Sequence, residues 1–247
     1  MGMAQASTSG VVISQVYGGG GNTGSVWKND FIELFNAGSA PVSLSGWSVQ
    51  YASAAGTSWA TTALGNVTLQ PGQYYLVQEA AGTGGTTALP TADAVGTLAL
   101  SGTAGKVALV SSTTALASTA TSSSTNVVDL VGFGSTASLF EGTAPTPAPS
   151  NTTAVLRAAS GCTDTNQNAS DFATGTPAPR NTSTALNLCS GTGGGTGTGG
   201  GTGTGGGTGS TGTVVSPSKS YATRISCGTV MCWVSALTAS RMFSGSL

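Results

Sequence analysis

Residues 11–51 read VVISQVYGGGGNTGSVWKNDFIELFNAGSAPVSLSGWSVQY. Three short apolar runs stand out in it: Val11–Tyr17, Phe31–Phe35 and Val42–Tyr51, the last with Val42, Leu44, Trp47, Val49 and Tyr51 set among small polar residues. Asn36-Ala37-Gly38 closes the second run, and Gly, Asn and Ser fill the gap before it. Runs of this length, rich in Val, Ile, Phe and Tyr and punctuated by turn residues, read as strands. Downstream the pattern continues with Val67–Leu69 before Pro71-Gly72, then Tyr74–Val77, Val127–Val131 and Ala154–Arg157. Thr97–Leu100 and Lys106–Val110 flank a Gly-containing turn and read as a hairpin. The almost pure Ser/Thr/Ala stretch Ser112–Thr125 reads as an exposed loop. No window of a dozen residues carries a 3.6-residue apolar period. The expected class is all-β, a sandwich or barrel.

The composition narrows the function. The chain has 247 residues, 7 Lys or Arg, 8 Asp or Glu, 39 Gly and no His. Its charged fraction is 6%, against about 25% in ordinary globular domains. With 38% hydrophobic residues and a net charge of −1, disorder does not account for the whole chain. Without an imidazole, a Ser-His-Asp triad, a Cys-His dyad, an HExxH zinc site and a His general base are all excluded. Carboxylate chemistry is what remains, so the chain reads as a non-enzyme. Lys28, Lys106, Arg157 and Arg180 are dispersed among all 8 acidic residues. Nucleic-acid binding wants a clustered basic stripe, and this pattern argues against it.

Four segments are expected. Residues 1–10 read as a leader or signal remnant, since MGMAQASTSG lacks a basic and an apolar region while Ala4-Gln5-Ala6 resembles the end of a cleavage site. Residues 11–190 read as the β domain. Residues 191–212 read as a flexible Gly/Thr linker, with GTGGGT three times in succession over 191–208. Residues 213–247 form a basic tail with Cys227 and Cys232, either a small disulfide-tied unit or the truncated or misread start of a further domain. No run of about 18 apolar residues marks a membrane span.

Cys162 and Cys189 have no metal-like spacing and read as a disulfide, which implies an oxidising compartment outside the cell or on its surface. Asp164, Asn166, Asn168 and Asp171 offer oxygens at short intervals, a pattern open to calcium. An EF-hand would need Gly where Ala169 stands and Glu where Gly175 stands, and the alternative is an Asx turn capping its own backbone. Glu33 shares a strand face with Phe31 and Phe35, and needs a partner such as Arg157 or backbone N–H groups to stay charged. Asp30 falls on the other face, which makes a structural carboxylate the better reading than a catalytic pair. Tyr74, Tyr75, Trp47, Tyr51 and Trp59 read as core before they read as a stacking platform.

The opening strand, then Asn29-Asp30-Phe31-Ile32-Glu33-Leu34-Phe35-Asn36, Val42-x-Leu44-x-Gly46-Trp47 and Leu69-x-Pro71-Gly72, in that order, resemble the bacterial form of the lamin tail domain. The likeness covers about residues 11–140. The stretch from Arg157 to Arg180-Asn181-Thr182-Ser183 is similar to the region that follows this domain in secreted bacterial nucleases of the endonuclease/exonuclease/phosphatase type. The resemblance implies an immunoglobulin-like β-sandwich in a secreted or surface-attached protein, often joined to such a nuclease. Nothing here matches the catalytic half. The expected function is a non-catalytic extracellular binding or tethering module with a surface or protein ligand. The alternative is the front fragment of a secreted nuclease whose catalytic domain lies downstream. No cofactor beyond possible Ca²⁺ is implied.

Overall fold

The computed structural model describes residues 10–189; the expectations for residues 1–9 and 190–247, linker and tail included, lie outside the described residues. The strands in chain order are β1 (Val11–Tyr17), β2 (Asn29–Asn36), β3 (Val42–Ser43), β4 (Ser48–Ser53), β5 (Ala60–Ala63) and β6 (Thr68–Leu69). They continue with β7 (Tyr74–Ala81), β8 (Ala94–Val95), β9 (Gly105–Val110), β10 (Val127–Phe133), β11 (Ala154–Arg157) and β12 (Phe172–Gly175). A six-stranded sheet runs β12-β11-β1-β2-β7-β8, and a four-stranded sheet runs β10-β9-β4-β5. Strands β3 and β6 form a separate two-stranded ribbon. All pairings are antiparallel except β7 with β8.

Strand alternation decides which residues fill the space between the layers. Ile32 and Leu34 of β2, Val77 of β7, Val49 of β4, Val107 and Leu109 of β9 and Val131 of β10 form the central apolar cluster. In β1 the members are Val11, Ile13 and Val16, an interval that breaks strict alternation. A bulge between Ile13 and Gln15 inserts the extra residue and restores Val16 to the inner face.

The outer face of the six-stranded sheet is apolar as well. Tyr17, Phe31 and Leu76 form one cluster there, and Val12, Phe35 and Tyr74 another. Each such side chain costs about 1.5–3 kcal/mol if left in water, so this face needs a cover. Trp27, Leu89 and Ala92 pack on the first cluster, and the chain after β12 helps cover the second. Gln15 and Ala178 exchange two hydrogen bonds, the Gln73 amide donates to the Thr182 carbonyl, and the Asn187 N–H donates to the Gly72 carbonyl. The Cys162–Cys189 disulfide packs on Val12, Phe35 and Tyr74 at the end of this cover.

Two sequence expectations need correction. Val42–Tyr51 is not one strand: Gly46 takes φ +77, a left-handed turn that L side chains resist, and separates β3 from β4 into different sheets. Thr97–Leu100 is not half of a hairpin, for β9 pairs with β4 and β10 instead. Its backbone donors end on buried carboxylates, Leu98 N–H on Glu79 and Leu100 N–H on Asp30. Strands β5, β8 and β12 are too poor in large apolar residues to have stood out. The 112–125 loop is largely exposed, but Leu116 reaches back to pack beside Ala108, Val110 and Leu130 on the outer face of the four-stranded sheet.

Candidate functional site

Most of the ionisable side chains face inward. Asp30, Glu33, Glu79, Asp129, Glu141 and Asp171 are buried, and Asp93 and Asp164 are half-buried. Lys106 and Arg157 are buried, Arg180 is half-buried, and Lys28 is the one fully exposed cation among the described residues. Two arginines organise five of these acids, Glu33, Asp129, Glu141, Asp164 and Asp171.

Arg180 lies on the outer face of the six-stranded sheet. Its guanidinium donates to both oxygens of Glu33, at 2.7 and 3.1 Å, and to the Tyr74 hydroxyl, and it stacks 3.8 Å above the Tyr74 ring. Glu33 also accepts from Ser14, Gln15 and the Arg180 backbone N–H. Of the two kinds of partner expected for Glu33, a backbone N–H is present, that of Arg180, while the guanidinium is Arg180 and not Arg157, because Arg157 turns towards the other sheet.

Arg157 stands at the seam between the two sheets. The bulge in β1 ends the β1–β11 ladder at Gln15 and leaves Ile13 without a strand partner on that side. Side chains complete it: Asp129 Oδ2 accepts from Ile13 N–H at 2.6 Å, and Arg157 Nε donates to the Ile13 carbonyl at 2.9 Å. Arg157 then pairs with Asp129 at 2.7 Å and Asp164 at 3.0 Å, with Asp171 at 3.7 Å, and its guanidinium lies 4.5 Å from the Phe172 ring centre. Burial alone would lower the Arg157 pKa; the carboxylates of Asp129, Asp164 and Glu141 outweigh it and raise it.

The four residues proposed from the sequence as calcium ligands take separate roles. Asp171 accepts from the Thr165 and Gln167 backbone N–H groups and from the Thr165 hydroxyl, the self-capping turn that was the alternative. Asn168 is fully buried; its Oδ1 accepts from Gly132 and Glu141 N–H, and its Nδ2 donates to the Leu130 carbonyl. Asn166 sits at the left-handed φ of +54 and donates its backbone N–H to Asp164. Only Asp164 meets other carboxylates, Asp129 and Glu141. Those two lie 12 residues apart, and no local motif in the sequence marks them.

Glu141 is the unusual member. It is 5% exposed, and no donor reaches its Oε2. Burial, then the charges of Asp129 and Asp164, push its pKa up to about 9 against the pull of Arg157. Elsewhere, burial carries Asp30 to about 7, moderated by the N–H groups of Leu100 and Gly20. Asp30 and Glu33 bond on opposite sides of β2 and do not form a pair.

The aromatics form no exposed platform among the described residues: Tyr74 and Tyr75 are buried, while Trp47 and Tyr51 pack on the central core and Trp59 on the second sheet. A hollow of about 170 Å³ lies beside Trp59 and Lys106, and Lys106 Nζ is already engaged by the Gly56 carbonyl and Ser138.

Two packed sheets, with a ribbon at one side and their charges turned inward, define an immunoglobulin-like β-sandwich. The family model of the lamin tail domain matches residues 4–194, and the chain belongs to that family. No curated protein matches the chain. Among the described residues no helix is long and apolar enough to cross a membrane.

Proposed function

We propose that this chain is a non-catalytic extracellular module that binds or tethers a partner, through a surface that is polar but almost uncharged. One observation carries the reading: the seven carboxylates other than Glu141 accept hydrogen bonds from the protein itself, and among the described residues the surface keeps Ser, Thr and Gly with Lys28 as its one exposed cation. Such a surface has little long-range field, so association rests on shape and neutral hydrogen bonds. The Cys162–Cys189 disulfide supports an oxidising location.

The test is retention of the full chain on insoluble glycans, neutral and anionic lipid vesicles, immobilised proteins and DNA, at low and high salt. Binding to a glycan or protein that persists at high salt is expected. Salt-sensitive retention on DNA, or hydrolysis of a phosphodiester by the chain, would defeat the reading. A second reading is that the module accompanies a downstream nuclease, favoured by the Gly/Thr repeat at 191–208. Sequencing the coding DNA past codon 247 in all frames separates the two, since a catalytic frame rich in His and Asp supports only the second.

A further inference from the structure

The seam around Arg157 holds more negative charge than its one guanidinium answers. Asp129, Glu141 and Asp164 each offer one oxygen, and these lie within 4.8 Å of one another. We propose that these three carboxylates form a binding site for one hard divalent cation, Ca²⁺ by preference. The inference does not depend on the binding role proposed above.

Three features support it. First, Ca–O bonds of about 2.3–2.6 Å place ligand oxygens up to about 5 Å apart across the ion, which accommodates this set. Second, the Glu141 carboxyl is nine-tenths buried with no donor on Oε2, so its ionised form costs free energy unless a cation displaces its proton. Third, suitable lone pairs remain. Asp129 Oδ2 is engaged by Arg157 and Ile13, while its Oδ1 accepts the Leu130 N–H and has a second lone pair. Asp164 uses Oδ1 for Arg157 and Asn166, which leaves Oδ2 to face the site. The Asp164 side chain is 15% exposed, so the site has a way in from solvent.

Asn168 positions the site without supplying a ligand. It clamps Glu141 to β10 through the Glu141 N–H on its Oδ1 at 3.2 Å and its own N–H on the Glu141 carbonyl at 3.0 Å. Asp171, closed around its own turn, is outside the set.

The full chain is stripped with EDTA at mildly alkaline pH, and its Tm is followed with CaCl₂, MgCl₂ or neither. Equilibrium dialysis counts the calcium bound. One Ca²⁺ per chain and a Tm rise of roughly 5 °C or more at calcium a hundredfold above its Kd are expected. Mg²⁺ should give a smaller shift. Glu141→Gln keeps the side-chain volume and should abolish both the shift and the bound ion; Asp164→Asn should weaken them at least tenfold. Asn166→Gly should leave calcium binding unchanged. Dialysis finding no bound calcium in the parent chain overturns the proposal, and so does a Glu141→Gln chain that responds to calcium like its parent. Should Glu141→Gln fail to fold, the dialysis count and Asp164→Asn decide alone. Loss of binding in Asn166→Gly with retention in Asp164→Asn would also overturn it, by moving the ion to the 164–171 loop.

Discussion

The two arginine centres solve the same problem unequally. On the outer face, Arg180 meets one carboxylate, Glu33, whose oxygens are also filled by Ser14, Gln15 and a backbone N–H. At the seam, Arg157 meets Asp129, Asp164 and Asp171 directly, with Glu141 beside them. The first centre is balanced and holds a cover in place. The second does structural work through Ile13 and still keeps a buried carboxyl oxygen, Glu141 Oε2, that no donor reaches. The difference shows how two buried ion pairs in one sandwich can differ in what they leave open to a ligand.

The comparison breaks most sharply at Arg157. Arg157→Met leaves Asp129 buried beside Glu141 with no guanidinium and removes the donor to Ile13. A loss of about 3–5 kcal/mol is expected in urea unfolding of the full chain. A loss below about 1 kcal/mol would mean that the seam is not held by this pair. Next comes the staple of the Arg180 side. Replacing Cys162 and Cys189 together by Ser releases a bridge spanning 27 residues, expected to cost about 3.5 kcal/mol by chain entropy, read as a lower denaturant midpoint.

Arg180→Met should cost less, about 2 kcal/mol, because its side chain is 23% exposed and Glu33 keeps its other donors. Equal losses for Arg157→Met and Arg180→Met would erase the asymmetry. The effect that is smallest per step is a pH slope from Asp30, read over each pH unit. Its carboxyl is raised from 3.8 to about 7 in the folded chain. Its contribution to stability is complete below pH 3.8 and declines as pH rises through 7, with a slope of at most about 1.4 kcal/mol per pH unit. Stability curves of the parent and Asp30→Asn should converge in slope above pH 8 and differ between pH 4 and 7; parallel curves throughout would contradict it.

Much of the sandwich was legible in the strand runs. VVISQVY and NDFIELFN alternate or nearly alternate apolar residues, and each becomes a strand close to its apolar bounds. The faces were harder to read. The β1 bulge shifts Val16 to the core against simple parity, and a run with Gly46 inside it proves to be parts of two strands. Thr97–Leu100 has strand composition, yet its Leu98 and Leu100 N–H groups end on carboxylates while its Leu98 carbonyl accepts from Ala80 of β7. Propensity cannot signal this, because the competing acceptors come from residues far along the chain.

By itself, the sequence determined the all-β class, the exclusion of imidazole chemistry, and a cysteine pair suited to bridging. These follow from local pattern and residue inventory, which need no long-range geometry. The tertiary structure alone decided that Glu33 pairs with Arg180, and that Asp164 comes together with Asp129 and Glu141. Side-chain electrostatics act over a few ångströms in space, and folding brings within that range residues that are far apart along the chain.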